Sequence, residues 1–102
     1  MMDFWRLPPD EVRQVVETNL LGIMYGSTVA LRGMMAQRFG ALYNMEGMGS
    51  DGKIMPGLAL YGTTKRGVRY FSAALAKEVE GTPLLVGTLS PGMVLTDLLL
   101  ND

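Results

Sequence analysis

The run Leu84-Leu-Val-Gly-Thr-Leu89 decides the fold class, together with the earlier run Ala41-Leu-Tyr-Asn-Met45. Both runs are short and apolar, which is typical of strands that are buried on both faces of a sheet. Between them, residues 61–80 have helical periodicity, and their apolar stripe consists of Val68, Phe71, Leu75 and Val79. The order strand, helix, strand predicts a parallel pair of strands joined by a right-handed crossover.

A long helix is predicted upstream of the first strand, over residues 10–38. Pro9 and the two acids after it favour a helix start, because proline fits the first turn and negative charge is stabilised at the positive end of the helix dipole. Glycines inside the segment weaken it, so we expect a kink near Gly22. Arg38 in the last turn and Gly40 just past it are typical of a helix end.

Three segments are expected to meet at one edge of this sheet. Ligands of open α/β sheets bind beyond the carboxyl ends of the strands. This rule places the glycine-rich loop 47–57, the loop 90–96 and the first turn of the helix that begins at Tyr61 at the same edge. The sequence therefore predicts a functional site there.

Composition excludes several kinds of chemistry. The chain has 102 residues, 48% of them hydrophobic, which is the size and character of one small globular domain. It has no Cys and no His, so disulfides, imidazole triads and thiolate metal sites are excluded and no metal site is expected. The net charge of −1 does not favour nucleic acid or an anionic membrane. The uncharged stretch 18–31 is too short for a transmembrane segment, so we expect a soluble protein.

Two glycine motifs in the first loop are rejected. Gly47-Met-Gly-Ser-Asp-Gly52 matches the pattern G-x-G-x-x-G, but the residues after it do not begin a helix, and no acid stands about 20 residues later. The same stretch fails as a nucleophile elbow, because Met48 stands where a glycine is required and no His exists to activate Ser50.

Tyr61 and Lys65 are four residues apart, which places both side chains on one helix face. An ammonium group beside a phenol favours the phenolate, so such a tyrosine can exchange a proton near neutral pH, as carbonyl reduction requires. Taken alone, this spacing is more often a solvated surface pair.

A resemblance to a known family favours the catalytic interpretation of this pair over the solvated surface pair. Asn19-Leu-Leu-Gly22, Tyr61-Gly-Thr-Thr-Lys65 and Ser90-Pro-Gly92 followed by Thr96 occur in the order of the short-chain dehydrogenase/reductase superfamily. The wording of Gly49-Ser-Asp-Gly52 and of Leu89-Ser-Pro-Gly-Met-Val94 is most similar to the chlorophyll b reductase branch. The resemblance covers nearly all of the chain but only the C-terminal two fifths or so of a full domain. It implies a C-terminal fragment of a Rossmann-type doubly wound sheet, with the N-terminal phosphate-binding half absent.

The resemblance also implies roles for individual residues. Tyr61 would donate the proton to the substrate carbonyl, Lys65 would hold the nicotinamide ribose, and Asn19 would position a water that relays protons to the lysine. The family's carbonyl-orienting serine position is occupied by Met48, and Ser50, two residues later, takes that role. The cofactor, NADP or NAD, would be bound by Tyr61 and Lys65 and lined by Pro91, Gly92, Val94 and Thr96.

Simpler interpretations remain open for two of these sites. Asn19 would then only cap or bridge the backbone at the Gly22 kink, and Pro91-Gly92 would only be a turn that ends a strand.

The function implied by the resemblance is NAD(P)H-dependent carbonyl or alcohol oxidoreduction, with the formyl group of chlorophyll(ide) b as the best substrate. The family commonly packs helices 10–38 and 61–80 against a second subunit, so a homo-oligomer is expected. The expected location is the cytoplasm, or the plastid of a photosynthetic eukaryote. The alternative is an inactive fragment that acts at most as a helix-mediated interaction module.

Overall fold

The structure is a computed structural model that describes residues 3–45, 54 and 57–89. The elements follow in the order 3₁₀ turn Phe4–Arg6, α1 (Pro9–Val16), a π-helical turn (Glu17–Leu21), α2 (Gly22–Gln37), β1 (Gly40–Met45), α3 (Ala59–Glu78) and β2 (Leu84–Leu89). The predicted α/β class and the predicted order of helices and strands are confirmed. The described strands form a parallel pair in one sheet.

The predicted upstream helix forms over almost its whole length, but as two α-helices separated by the π-helical turn. Pro9 and the acids Asp10 and Glu11 occupy the first turn of α1, as expected. The irregularity lies immediately before Gly22, where a Cβ would come within 3.3 Å of the Glu17 carbonyl oxygen. Among the described residues, no helix combines the length and the apolar character needed to cross a membrane.

The end of α2 differs from the prediction in how it is capped. Arg38 itself takes the left-handed conformation, with φ 67°, and its N–H bonds back to the carbonyls of Met34 and Met35. Gly40 is not a free residue past the helix end, because it is already the first residue of β1. Its φ is 151°, and a Cβ there would overlap the Met34 side chain. Close packing of α2 on the strand therefore explains this glycine.

The strands pair in parallel from Gly40 opposite Leu84 to Met45 opposite Leu89. β1 begins one residue before its predicted start, β2 has its predicted bounds, and α3 lies two residues earlier than the predicted 61–80. One face of the sheet packs on α2 and α3. The apolar core on that face consists of Val79, Leu84 and Val86, with Leu31, Met34, Leu42, Leu75 and Ala76 packed against it.

A buried polar junction joins β1 to both helices. Asn44, which is 6% exposed, donates through Nδ2 to Ser72 Oγ on α3 at 2.9 Å and to Ser27 Oγ on α2 at 3.4 Å. Ser72 and Ser27 are themselves almost fully buried. Hydrogen bonds in such a dry environment are costly to break, so this junction fixes the two helices against the same strand.

Candidate active site

Asn19 lies in the middle of the π-helical turn, on the side of the chain that packs against α3. The contact is close: a Cβ added at Gly67 of α3 would be 3.2 Å from Leu20 Cδ1, the residue after Asn19. Single π turns inside α-helices occur frequently at functional sites, because they redirect side chains without ending the helix. The backbone around Asn19 is therefore continuous helix, and the asparagine is not a helix cap.

Tyr61 and Lys65 lie in the first two turns of α3, at i and i+4. The Tyr61 side chain is 47% exposed and Lys65 is half-buried, so both groups remain accessible. Thr64, only 2% exposed, donates its hydroxyl to the Tyr61 carbonyl oxygen at 2.9 Å. This bond satisfies the buried Thr64 hydroxyl within the helix.

A pocket of about 260 Å³ brings Asn19 and Tyr61 together between α1, the π-helical turn and α3. Its other lining residues are Glu11, Gln14, Val15 and Thr18. Carboxylate, amide, hydroxyl and phenol groups thus surround one space, an arrangement suited to a polar ligand. The two residues that the sequence singled out from distant segments therefore meet at one site.

Glu11, Gln14 and Thr18 were not predicted as site residues. From the sequence, Glu11 was interpreted only as a helix-start acid. Their spacing of three and four residues, shared with Val15, places them on one face of a helix, and this was the signal available. These polar residues lie on the helix face that leads to Asn19. A pattern of apolar residues does not reveal such a face.

A second, apolar pocket of about 360 Å³ lies between other faces of α1 and α3. Its lining residues are Phe4, Val12, Val16, Ala59, Leu60, Thr63 and Thr64. Phe4 belongs to the N-terminal 3₁₀ turn, so the aromatic lead-in of the chain contributes to this pocket. Helix α1 therefore separates a polar pocket from an apolar one.

The remaining predicted site residues lie outside the described residues. They are Ser50, Pro91, Gly92, Val94 and Thr96. Their roles, and the expected approach of the two loops to α3, stay predictions. Of the groups expected to bind cofactor, Tyr61 and Lys65 are described, and a phenol and an ammonium one turn apart fit the hydroxyl groups of a nicotinamide ribose.

Comparison with known proteins gives the family. The profile of the short chain dehydrogenase family matches residues 1–101. A probable chloroplastic chlorophyll(ide) b reductase of Oryza sativa subsp. japonica is 45% identical over 93 residues, which are 90% of this chain and 18% of the relative. A chloroplastic chlorophyll(ide) b reductase of Arabidopsis thaliana is 41% identical over 96 residues, covering 90% of this chain and 28% of the relative.

A solved structure agrees with these sequences. The closed form of a serine dehydrogenase complexed with NADP⁺ superposes with a TM-score of 0.81 at 26% identity, covering 88% of this chain and 36% of that one. The chain therefore spans less than half the length of each of these relatives. The likeness to the chlorophyll b reductase branch, expected from the motif wording, is confirmed. The chain belongs to the short chain dehydrogenase family.

Proposed function

We propose that this chain provides the proton-transfer part of an NAD(P)H-dependent carbonyl reductase. The observation that carries the proposal is the pocket shared by Asn19 and Tyr61, with Lys65 one helical turn beyond the tyrosine. Family membership supports it, because the tyrosine, lysine and asparagine stand in matching motifs within a chain that the family profile covers.

Each residue has a defined task in this reaction. A reduced nicotinamide, when bound, supplies the hydride that adds to the carbonyl carbon. Tyr61 donates its hydroxyl proton to the carbonyl oxygen, so that the carbonyl becomes an alcohol. Lys65 hydrogen-bonds to the ribose and stabilises the tyrosinate that remains, while Asn19 holds a water that returns a proton to this pair. Ser50 orients the carbonyl oxygen by a hydrogen bond.

The cofactor itself is NADP or NAD. Tyr61 and Lys65 hold its ribose, and the segment after β2 lines the nicotinamide and diphosphate through Pro91, Gly92, Val94 and Thr96. The NADP⁺ present in the serine dehydrogenase complex supports a nicotinamide cofactor for the family.

The substrate we propose is the formyl group of a chlorophyll(ide) b-type tetrapyrrole, which is reduced to a hydroxymethyl group. Support comes from the names of the rice and Arabidopsis relatives at 45% and 41% identity. Both are described as chloroplastic, so we place this chain in a plastid.

The test is a chimaera in which this chain replaces the 96 matched residues of the Arabidopsis reductase. We expect NADPH-dependent formation of the hydroxymethyl product from chlorophyllide b. Tyr61→Phe should lower kcat at least about 100-fold, since general acid catalysis contributes about 10²–10⁴-fold. The matched control is Tyr70→Phe, on the same helix and 78% exposed, which should leave kcat within about twofold. A folded chimaera in which Tyr61→Phe behaves like Tyr70→Phe would refute the assignment.

A second candidate function is a helix-mediated interaction module that forms a homo-oligomer. The observation in its favour is the set of large apolar side chains left exposed on the helices: Tyr25 at 67%, Val29 at 74% and Tyr70 at 78%. Tyr25 and Val29 are four residues apart, so they form one patch on α2. Analytical ultracentrifugation should then give a dimer or tetramer that Val29→Lys weakens, whereas Gln37→Lys, at the exposed end of α2, should leave it intact.

A further inference from the structure

The polar pocket beside Tyr61 has an acidic end. Glu11, Gln14 and Thr18 line it from one side, and Asn19 and Tyr61 lie in the same lining. Among the described residues that line it, Glu11 is the charged one. The proposed reaction gives Asn19 and Tyr61 their roles, but it leaves the carboxylate of Glu11 without one.

Glu11 and Asn19 mark the two ends of the pocket along the helical segment. Glu11 is the first lining residue of that segment in the chain, and Asn19 is the last. Thr18 follows Glu11 by seven positions, which is about 10 Å along the axis of an α-helix. A substrate that presents its carbonyl oxygen to Tyr61 therefore lies along a helix face whose polar side chains continue as far as Glu11.

The pocket accepts only part of a large substrate. Its volume of about 260 Å³ is about nine times the share of one water molecule in the liquid. That is room for one substituted ring, and not for a whole four-ring macrocycle. The part of the substrate that enters the pocket is thus the carbonyl with the groups next to it, and these are the groups that Glu11 faces.

The helix dipole does not cancel the charge of Glu11. α1 begins at Pro9, and both Asp10 and Glu11 occupy its first turn. The N-terminus of a helix carries the equivalent of about half a positive charge, which is less than the charge of two carboxylates. Lys65 lies one helical turn beyond Tyr61 and is not one of the lining residues. An anionic group that entered the pocket would therefore meet a carboxylate, and the two would repel each other.

We propose that Glu11 determines the charge selectivity of this site: it excludes substrates with an anionic group close to the reacting carbonyl and admits neutral ones. The inference rests on the proposed carbonyl reduction, because it takes Tyr61 as the group that binds the substrate carbonyl. A formyl group on an uncharged ring edge satisfies this rule. A 2-oxo acid, whose carboxylate is bonded to the carbonyl carbon, belongs to the class that the site rejects.

Two aryl ketones of the same shape test the charge alone. They are 4-acetylbenzoate and its methyl ester, in which the anionic or neutral group is held rigidly across the ring from the carbonyl. Ligand-observed NMR titration measures their binding to the full 102-residue chain at low ionic strength, without cofactor. Glu11 is exposed, so its charge is partly screened, and we expect the ester to bind about fivefold more tightly than the acid. Salt at about 1 M should bring the two within about twofold, because the Debye length falls to about 3 Å.

Paired variants assign the preference to Glu11. Glu11→Gln should abolish it, and Glu11→Lys should reverse it, so that the acid binds more tightly than the ester. Asp10→Lys is the matched control, because it makes the same change of charge in the same helical turn on an exposed residue that is not one of the described lining residues. It should leave the ester preferred. A residue that only supports the fold would not reverse the preference.

The inference is overturned if neither ketone binds, if the acid binds as tightly as the ester at low ionic strength, or if Glu11→Lys and Asp10→Lys act alike. Should Glu11→Lys unfold, Glu11→Gln and the salt dependence of the unchanged chain still decide.

Reduction of both ketones by the chimaera with the Arabidopsis reductase separates this inference from the proposed reaction. A binding preference that follows the charge at position 11, in a chimaera that reduces neither ketone nor chlorophyllide b, overturns the reaction alone. Reduction with the same preference in the unchanged chimaera and in its Glu11→Gln variant overturns the charge selectivity alone.

Discussion

Replacing Asn44 with alanine is expected to loosen both helices from the sheet. The change removes the donor that reaches Ser72 Oγ at 2.9 Å and Ser27 Oγ at 3.4 Å, in a region where these serines are 0% and 2% exposed. A buried polar group that loses its partner costs about 1–3 kcal/mol. The 3.4 Å contact is long for a hydrogen bond, so most of the effect belongs to Ser72. We expect the free energy of unfolding to fall by about 2 kcal/mol.

Hydrogen exchange read by mass spectrometry measures this effect, because it reports local opening even where unfolding is not cooperative. Protection of the amides in β1 and α3 should fall about 30-fold, as about 2 kcal/mol requires. Gln37→Ala is the matched control: this exposed amide donates to the Gly33 carbonyl oxygen at 3.3 Å within its own helix, and its loss should cost under about 0.5 kcal/mol. Ser72→Ala should have a larger effect than Ser27→Ala. If Asn44→Ala is no worse than Gln37→Ala, the junction does not hold the helices and the reasoning fails.

Three further outcomes are expected. Gly67→Ala should displace the π-helical turn, because its Cβ would lie 3.2 Å from Leu20 Cδ1. Gly62→Ala, whose Cβ would lie 3.9 Å from its nearest atom, should instead raise the free energy of unfolding by about 0.5–1 kcal/mol. Melting temperatures of the two variants test this difference. The isolated chain should bind NADPH negligibly in titration calorimetry. In this family the cofactor diphosphate binds a glycine-rich loop, and none of the motifs found in this chain is that loop. A micromolar affinity would contradict this prediction. The isolated chain should also self-associate in size-exclusion chromatography through its uncovered apolar surfaces, and a monomer that melts cooperatively well above about 50 °C would count against it.

The sequence predicted the strands and α3 well because their signals are local. An apolar run between glycine and proline breaks, such as Leu84–Leu89, has few alternatives to a buried strand. The end of α2 was harder to predict, because Gly40 was interpreted only as a helix-ending glycine. In the structure it begins β1, where both its positive φ and its contact with the Met34 side chain require a glycine. That contact joins a helix to a strand, and no local pattern contains it.

The sequence predicted those residues of the candidate site that lie in family motifs and on described helices. The spacing of Tyr61 and Lys65 indicated a shared helix face, but the family motifs were needed to select this pair and Asn19 as site residues. The structure brings Asn19 and Tyr61 to one pocket. Asn44 was passed over although it is a polar residue inside a predicted buried strand. Such a residue signals a buried hydrogen-bond partner, but the partners Ser27 and Ser72 lie 17 and 28 residues away and only folding identifies them.

The π-helical turn changes which side chains of residues 10–38 lie on the same face of the helical segment. Val15 and Ser27 are the buried residues of α1 and α2, and they are separated by 12 positions. In an uninterrupted α-helix, at about 100° per residue, they would point about 120° apart. The π turn absorbs one residue, so the effective separation is close to 11 positions and the two side chains differ in direction by only about 20°. The inserted residue therefore allows one helical segment to pack Val15 beside the pocket and Ser27 against Asn44. Asn19 lies inside this turn, so its position opposite Tyr61 depends on the same insertion that keeps α2 on the sheet.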